Sequence, residues 1–290
     1  MRALIVGSGG MLARDLADVL VTAGYDVRPL TVDDLDITAP AAVDAAVSDW
    51  AAAGADSVVF NCAAYTNVDG AEADEQRAHL INAVGPGNLA AGCAAAGVDL
   101  VHISTDYVFA GDATSPYDVD APTGPRSAYG RTKLAGEEAV RERAPRSYVV
   151  RTAWLYGAGG NNFVKTMARL ERERESLSVV DDQRGSPTWS RDLSTALMTL
   201  AQTRAYGTYH CTNSGDTTWC GLTRAIFEEL GADPARVTPC TTADFPRPAP
   251  RPAYSVLSGA ALEAVGVPAM RPWRDALAAA FAQCGDALRA

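Results

Sequence analysis

Residues 3–13 read ALIVGSGGMLA, an apolar run followed by a glycine-rich turn and the first residues of a helix. The apolar run, Ala3–Val6, predicts a buried parallel strand. Apolar residues then recur at helical spacing, so a helix begins inside the glycine run; they are Leu12, Leu16, Val19 and Leu20. Glycines let the backbone approach a pyrophosphate, and a helix start offers free N–H groups. The spacing Gly7-x-x-Gly10-x-x-Ala13 therefore favours a dinucleotide site over a simple tight turn.

Strand and helix patterns alternate through the first half of the chain. The predicted strands after the first are Val27–Leu30, Ser57–Asn61, Leu100–Ser104 and Tyr148–Arg151, and the predicted helices cover 41–50, 78–95 and the residues around Tyr129. Strands separated by helices require right-handed crossovers and a parallel sheet. We therefore expect an α/β fold, a doubly wound parallel (Rossmann) sheet with a smaller, mostly C-terminal substrate-binding lobe.

The second half of the chain is less regular. We expect the dinucleotide-binding domain to span 1–155, with a returning helix near 190–202, and the substrate-binding lobe to take mainly 156–290. The proline-rich residues 239–252 cannot form a central strand or helix, and we expect them to wrap over a cleft.

Tyr129 and Lys133 lie four residues apart in the run YGRTKLAGE, residues 129–137. On a helix, positions i and i+4 share a face, so the Lys133 ammonium can lie beside the Tyr129 phenol. A free tyrosine titrates near pH ~10, and we expect the positive charge to lower its pKa toward the range of an acid–base catalyst. The same spacing is common on solvated helices, so the pair gains meaning only beside the phosphate site.

The composition excludes several classes of protein. A net charge of −10, from 35 acidic and 25 basic residues, argues against a nucleic-acid or membrane-surface binder. The longest apolar runs are shorter than the ~20 residues that span a bilayer, and we expect no signal segment before the first strand. The six cysteines have no Cys-x-x-Cys pair, and three scattered histidines suggest no metal site. We expect a cytoplasmic enzyme with a small-molecule substrate.

Longer motifs give the chain a family resemblance. They are NCAAYTNVDGAE (61–72), STDYVFAG (104–111), YGRTKLAGE (129–137), RTAWLYG (151–157), NFVKTM (162–167), QRGSPT (183–188) and RPAYSVL (251–257). With the glycine turn, they resemble the extended short-chain dehydrogenase/reductases, and more closely the dTDP-4-dehydrorhamnose reductases. The sequence departs from the family at Met11, where glutamine is usual, and at Arg184, where an aromatic residue is common.

The resemblance implies a reaction and its catalytic residues. The C4 ketone of dTDP-4-dehydro-L-rhamnose would take a hydride from a reduced nicotinamide cofactor, giving dTDP-L-rhamnose. Tyr129 would donate the proton, and Lys133 would lower its pKa and hold the cofactor ribose. Thr105 matches the Ser or Thr that hydrogen-bonds the carbonyl in the superfamily.

Further site residues are carried over from the family one at a time. The cofactor residues implied are Gly7, Gly10, Met11, Leu12, Asp36, Ile37, Ala63, Ala64 and Tyr65, together with Tyr129 and Lys133. The substrate residues implied are Thr66, Thr105, Asp106 and Trp154. By charge alone, candidates for the substrate diphosphate are Lys165, Arg184, Arg247 and Arg251, without a ranking among them.

Cofactor choice and two other functions stay open. The end of the second strand reads Arg28-Pro29-Leu30-Thr31, with no acid before Asp33 to bind a ribose 2′-hydroxyl, so NADPH is favoured and NADH is the alternative. The other functions are a related nucleotide-4-ketosugar reductase or epimerase, and an idle regulatory homologue. Relatives occur as monomers and as homodimers joined through Mg²⁺, and no acidic patch here supports the metal.

Overall fold

The computed structural model describes residues 1–52, 54 and 56–289, which form twelve β-strands and eleven α-helices. The strands are β1 (Arg2–Val6), β2 (Asp26–Leu30), β3 (Ser57–Asn61), β4 (Asp99–Thr105), β5 (Ser147–Thr152), β6 (Leu155–Tyr156), β7 (Leu177–Val180), β8 (Arg184–Gly185), β9 (Thr188–Trp189), β10 (Gly207–His210), β11 (Thr217–Thr218) and β12 (Val237–Cys240). The helices are α1 (Met11–Thr22), α2 (Pro40–Ala52), α3 (Val68–Ala73), α4 (Glu75–His79), α5 (Gly85–Ala96), α6 (Ala128–Arg143), α7 (Phe163–Glu173), α8 (Ser190–Thr203), α9 (Trp219–Glu229), α10 (Ala260–Ala264) and α11 (Trp273–Arg289).

Six strands form one parallel sheet in the order β10-β5-β4-β3-β1-β2. The chain leaves β1 toward β2 on one side, and β3 then pairs with β1 on the other side. The connections therefore change direction between β1 and β3, which opens a crevice at the carboxyl ends of these strands. This topology confirms the predicted doubly wound parallel sheet.

Helices cover both faces of the sheet. On one face, α1 packs against α8 through buried leucines such as Leu16 and Leu197. On the other face, α2, α5 and α6 pack together over residues such as Val47 and Leu89. Strand β1 is buried from both sides, which explains why its sequence is apolar at every position from Ala3 to Val6.

The helix predicted over 78–95 differs from the structure. A π-helical turn at Leu80–Val84 separates α4 from α5. Pro86 has no backbone N–H to donate to the Asn82 carbonyl four residues earlier, so the regular α-helical ladder cannot continue there. Helix α6 approaches this turn at Gly136, where a Cβ atom would collide with the Asn82 carbonyl oxygen.

The second half of the chain supplies an additional strand and a separate core. Strand β10, which the sequence pattern did not reveal, adds to the sheet beside β5. Helices α7, α9 and α11 enclose a cluster around Ile226 and Leu277. Pro239 lies in β12, which pairs with β7 outside the central sheet. Among the described residues, no helix has both the length and the apolar character that crossing a membrane requires.

Candidate active site

A cleft of about 1250 Å³ lies at the carboxyl ends of the central strands. Of the cofactor, catalytic and sugar-binding residues implied by the family resemblance, all except Tyr65 line it; they are Gly7, Gly10, Met11, Leu12, Asp36, Ile37, Ala63, Ala64, Thr66, Thr105, Asp106, Tyr129, Lys133 and Trp154. The fold thus brings residues from both halves of the chain to one surface, as expected where parallel strands end together.

Tyr65 lies outside the cleft wall. Its ring packs with Ala71, Ala78 and Tyr129 in a small cluster between α3, α4 and α6. The side chain of Asn82, in the π-helical turn, accepts from the Tyr65 N–H at 2.8 Å and donates to its carbonyl at 3.1 Å. These bonds hold the backbone so that Ala63 and Ala64 face the cleft while the Tyr65 ring does not.

The glycine turn forms a tight cradle at the start of α1. Gly7 has φ = 81°, and a Cβ atom there would lie 2.6 Å from both the amide nitrogen and the Cα atom of Ala63. Gly10, the N-cap of α1, provides no side-chain hydrogen bond to the first helical N–H groups. The N-terminal N–H groups of α1, which no side chain caps, can bind an anionic group that approaches the closely packed backbone. These residues therefore fit the pyrophosphate of a dinucleotide.

The end of β2 offers two acidic side chains that are already engaged. Asp36 accepts from the N–H and hydroxyl of Thr38, and these bonds, the backbone bond first, lower the pKa of its carboxyl. Asp34 accepts in the same way from Thr31, which lowers the Asp34 pKa. Both carboxylates therefore stabilise the loop after β2, and Asp36 also lines the cleft.

Tyr129 remains protonated at neutral pH. Burial raises the pKa of its phenol to about 12, a hydrogen bond with Thr105 opposes the shift, and the nearby Asp106 adds to it. The expected lowering of the Tyr129 pKa by Lys133 is therefore wrong for this structure, because the cost of burying a phenolate dominates. A neutral phenol is nevertheless the state that a proton donor requires.

Lys133 is almost completely buried, with 2% of its surface exposed. Its Nζ donates to the Ile103 carbonyl at 2.6 Å, which fixes the ammonium beside β4. Burial lowers the pKa of Lys133 to about 8, and Glu137 acts in the opposite direction. The ammonium is therefore the main form at neutral pH and is lost as the pH rises above about 8.

Asp106 follows Thr105 at the end of β4 and is buried in the cleft wall. Its Oδ1 accepts from the Thr105 hydroxyl at 2.9 Å, whereas its Oδ2 is buried without a hydrogen-bond partner. Burial raises the pKa of this carboxyl to about 6, and hydrogen bonds from Ser255 and Thr105 oppose that shift. A buried carboxyl on the cleft wall with acceptor capacity to spare is suited to accept a hydrogen bond from a sugar hydroxyl.

We expect Asp106→Asn to stabilise the protein at alkaline pH while lowering its activity. Because the pKa of Asp106 is higher in the folded than in the unfolded state, ionising this carboxyl lowers the free energy of unfolding by roughly 3 kcal/mol at most. The loss reaches its full value above about pH 6. The variant should therefore gain about 1–3 kcal/mol of unfolding free energy near pH 8, and the gain should vanish as the pH falls to about 4. Denaturant titrations across this range check the sign; a loss of stability near pH 8 contradicts it.

Trp154 forms a flat wall of the cleft. Its indole stacks on that of Trp219, with ring centroids 3.4 Å apart and planes 6° apart. A Cβ atom on Gly185 would lie 2.5 Å from the Trp154 ring, so only glycine leaves space for it. Trp154 also has φ = 46°, a strained value for a residue other than glycine. Packing against Trp219 and Gly185 holds the Trp154 indole in a fixed plane at the cleft wall.

A second cavity of about 750 Å³ adjoins the cleft. The two cavities share Tyr107, Phe163, Trp219 and Arg251 in their walls. Residues 245–247 and 249–251 contribute to the second cavity, in agreement with the expectation that the proline-rich segment wraps over a cleft. Arg251 pairs with Asp69 of α3 at 2.9 Å, which ties this segment to the N-terminal half of the chain.

The structure also ranks the basic residues. Arg251 lines both cavities and Arg247 lines the second, whereas Lys165 and Arg184 line neither. Arg184 pairs instead with Asp216. Among the described residues, no group of three or more His, Cys, Asp or Glu side chains could hold a metal ion.

The chain is similar throughout its length to known proteins. Residues 1–285 match the family described as the RmlD substrate binding domain. The chain is 50% identical to a dTDP-4-dehydrorhamnose reductase of Streptomyces griseus, over 99% of this chain and 96% of that protein. It is 49% identical to a probable dTDP-4,6-dihydroxy-2-methyloxan-3-one 4-ketoreductase of Streptomyces antibioticus, over 97% and 95% of the two chains.

Solved structures agree with these similarities. The dTDP-4-dehydrorhamnose reductase of Bacillus anthracis, determined in complex with NADP, superposes with a TM-score of 0.93. The two sequences are 40% identical, and the match covers 97% of this chain and 99% of the other.

Proposed function

The chain belongs to the RmlD substrate binding domain family, and from this we propose that it reduces the C4 ketone of dTDP-4-dehydro-L-rhamnose to dTDP-L-rhamnose with a reduced nicotinamide cofactor. The observation that carries the proposal is the meeting, in one cleft, of a glycine cradle with Thr105, Tyr129 and Lys133. Such a set combines a dinucleotide site with a proton donor, which is what ketone reduction requires.

The proposed chemistry divides between the cofactor and the protein. The bound cofactor supplies the hydride to the carbonyl carbon, and negative charge develops on the carbonyl oxygen. The neutral Tyr129 phenol donates a proton to that oxygen. The Thr105 hydroxyl, which donates to Asp106 in this structure, would turn toward the same oxygen as a second donor when substrate binds. The Lys133 ammonium then stabilises the phenolate that remains, because opposite charges attract strongly at a buried site.

The residues of the cleft also support a choice of cofactor. The acid nearest the end of β2, Asp33, does not line the cleft, and the next acid, Asp34, is bound to Thr31. Neither is placed as a free partner for a ribose 2′-hydroxyl. This supports NADPH as the preferred cofactor, and the NADP complex of the Bacillus anthracis relative agrees with that choice. Comparing kcat/KM for NADPH and NADH checks the preference.

We further propose that the substrate spans the two connected cavities. Its sugar would lie between Trp154 and Asp106, and its diphosphate would reach Arg251 at the junction. Arg251→Ala should raise the substrate KM by about 10- to 100-fold, because charge-assisted hydrogen bonds contribute about 1.5–3 kcal/mol. The dissociation constant for NADPH should not change. Arg184→Ala, which removes an arginine from outside both cavities, serves as the control; equal effects of the two substitutions contradict this placement.

A second candidate is the reduction of a related dTDP-4-ketosugar. The 49% identity with the 4-ketoreductase of Streptomyces antibioticus favours it, since that protein matches this chain almost as well as the 50% identical rhamnose reductase of Streptomyces griseus does. The same cleft chemistry would serve either sugar, so the alternatives differ in substrate and not in mechanism. Work in the cytoplasm and assembly as a monomer or homodimer remain predictions from the sequence.

Turnover with dTDP-4-dehydrorhamnose, generated in situ, tests the proposed function. We expect NADPH oxidation that depends on the ketosugar and yields dTDP-L-rhamnose, identified by its NMR spectrum. Reduction of a different dTDP-4-ketosugar alone would favour the second candidate. A folded protein that binds NADPH but reduces neither sugar would contradict both.

A further inference from the structure

Glu137 lies one helical turn beyond Lys133 on α6 and is completely buried. Its carboxylate accepts from the Ser104 hydroxyl at 2.6 Å and from two nitrogens of Arg151 at 2.8 and 2.9 Å. Arg141 approaches it from the surface at 3.1 Å. Removing a carboxylate from water is costly, and a buried one that keeps this many partners indicates a role for Glu137 beyond packing.

The partners of Glu137 belong to the strands that carry the cleft residues. Ser104 directly precedes Thr105 on β4, and Arg151 directly precedes Thr152, which also lines the cleft. Lys133 makes the neighbouring link between α6 and β4, through its bond to the Ile103 carbonyl. Lys133 and Glu137 therefore join one face of α6 to consecutive residues of β4.

The charges around Lys133 single out Glu137. The titratable groups that face it are Glu137 and Tyr129 on its own helix, Cys62 after β3, and His102 on β4. Burial raises the pKa of Cys62 to about 12 and places that of His102 well below its ordinary value, so both are neutral at pH 7. Among these groups, Glu137 alone carries a negative charge, because its pKa is lowered by its bonds to Arg151 and Ser104 against the effect of burial.

We propose that Glu137 is a positioning residue for Lys133: it locks α6 against β4 and β5, and it keeps the buried ammonium charged. The proposal rests on the reductase function described above, in which a charged Lys133 stabilises the Tyr129 phenolate. Arg141 and Arg151 partly neutralise Glu137, so removing a cation from its far side should strengthen its effect on Lys133.

The test compares three variants by the pH dependence of kcat/KM and of NADPH affinity, the latter followed by fluorescence without turnover. In the wild type, we expect kcat/KM to fall above about pH 8, as the Lys133 ammonium loses its proton; this fall is the alkaline limb of the pH profile. In Glu137→Gln the limb should move to a pH about one unit lower, because the variant lacks the negative charge that favours the ionised ammonium. Arg141→Met, on the surface, should move the limb slightly up. Glu138→Gln makes the same change at an exposed position of α6 and should leave the limb in place.

The two readouts separate the possible failures. A folded Glu137→Gln whose alkaline limb coincides with that of the wild type overturns the proposal. If this variant does not fold, Arg141→Met decides: an unmoved or lowered limb overturns the proposal, and a raised limb supports it. A wild-type protein that lacks turnover contradicts the reductase function, whereas the pH dependence of NADPH affinity still tests Glu137.

Discussion

Replacing Tyr129 with phenylalanine is expected to lower kcat about a thousandfold while the protein still folds and binds NADPH. The substitution removes the phenol hydroxyl that the proposed reduction uses as its proton donor, and general acid catalysis contributes typically ~10²- to 10⁴-fold. Thr105 and Lys133 remain, so stabilisation of the developing oxyanion should leave residual activity. The rate is measured as NADPH oxidation with saturating ketosugar.

The control for this prediction is Tyr148→Phe, which removes a tyrosine hydroxyl from the core of the sheet. Tyr148 is buried among residues of α8 and β10, away from the cleft wall. Its hydroxyl is buried without a hydrogen-bond partner, so its loss should change kcat by less than about threefold. If Tyr129→Phe keeps most of the wild-type activity, another group donates the proton.

Gly7→Ala is expected to abolish cofactor binding and to destabilise the fold by about 2–5 kcal/mol. A residue with a side chain at φ = 81° costs about 1–2 kcal/mol in backbone strain. The new Cβ atom would also lie 2.6 Å from the backbone of Ala63, and such overpacking adds about 1–3 kcal/mol. Relief of the clash must separate β1 from the segment after β3, which widens the cradle for the pyrophosphate.

Gly24→Ala separates backbone strain from the clash. Gly24 has φ = 82°, almost the same as Gly7, but a Cβ atom there would meet nothing within 4 Å. This variant should lose only about 1–2 kcal/mol and bind NADPH normally. Calorimetry and fluorescence titration of both variants provide the comparison. Normal NADPH affinity in a folded Gly7→Ala would contradict the assignment of the glycine turn to the cofactor.

The elements that depend on a few consecutive residues were the most predictable. The apolar run of β1, the glycine turn and the i, i+4 pair of Tyr129 and Lys133 are each encoded within a few residues, so their patterns indicated the local structure directly. Once the strands were known to be parallel, their carboxyl ends had to meet, which brought Thr105 and Asp106 to the same cleft as Gly7.

Features that depend on distant contacts could not be predicted. Trp219 stacks on Trp154 although the two residues lie far apart in the sequence. The sequence around either residue does not indicate that they are in contact. The π-helical turn depends on Pro86 and on the close approach of α6, which a helical pattern alone does not reveal. The direction of the Tyr129 pKa shift depends on its burial, which spacing along a helix does not describe.

The measurement that tests the central claim most directly is the fate of the hydride. The protein is incubated with dTDP-4-dehydrorhamnose and with NADPH in which deuterium replaces both hydrogens on C4 of the nicotinamide. The product is then examined by NMR. We expect one deuterium at C4 of the sugar, bound to the carbon that was the ketone. A product with hydrogen at C4, or with label at another ring carbon, would contradict direct hydride transfer to the C4 ketone in this cleft.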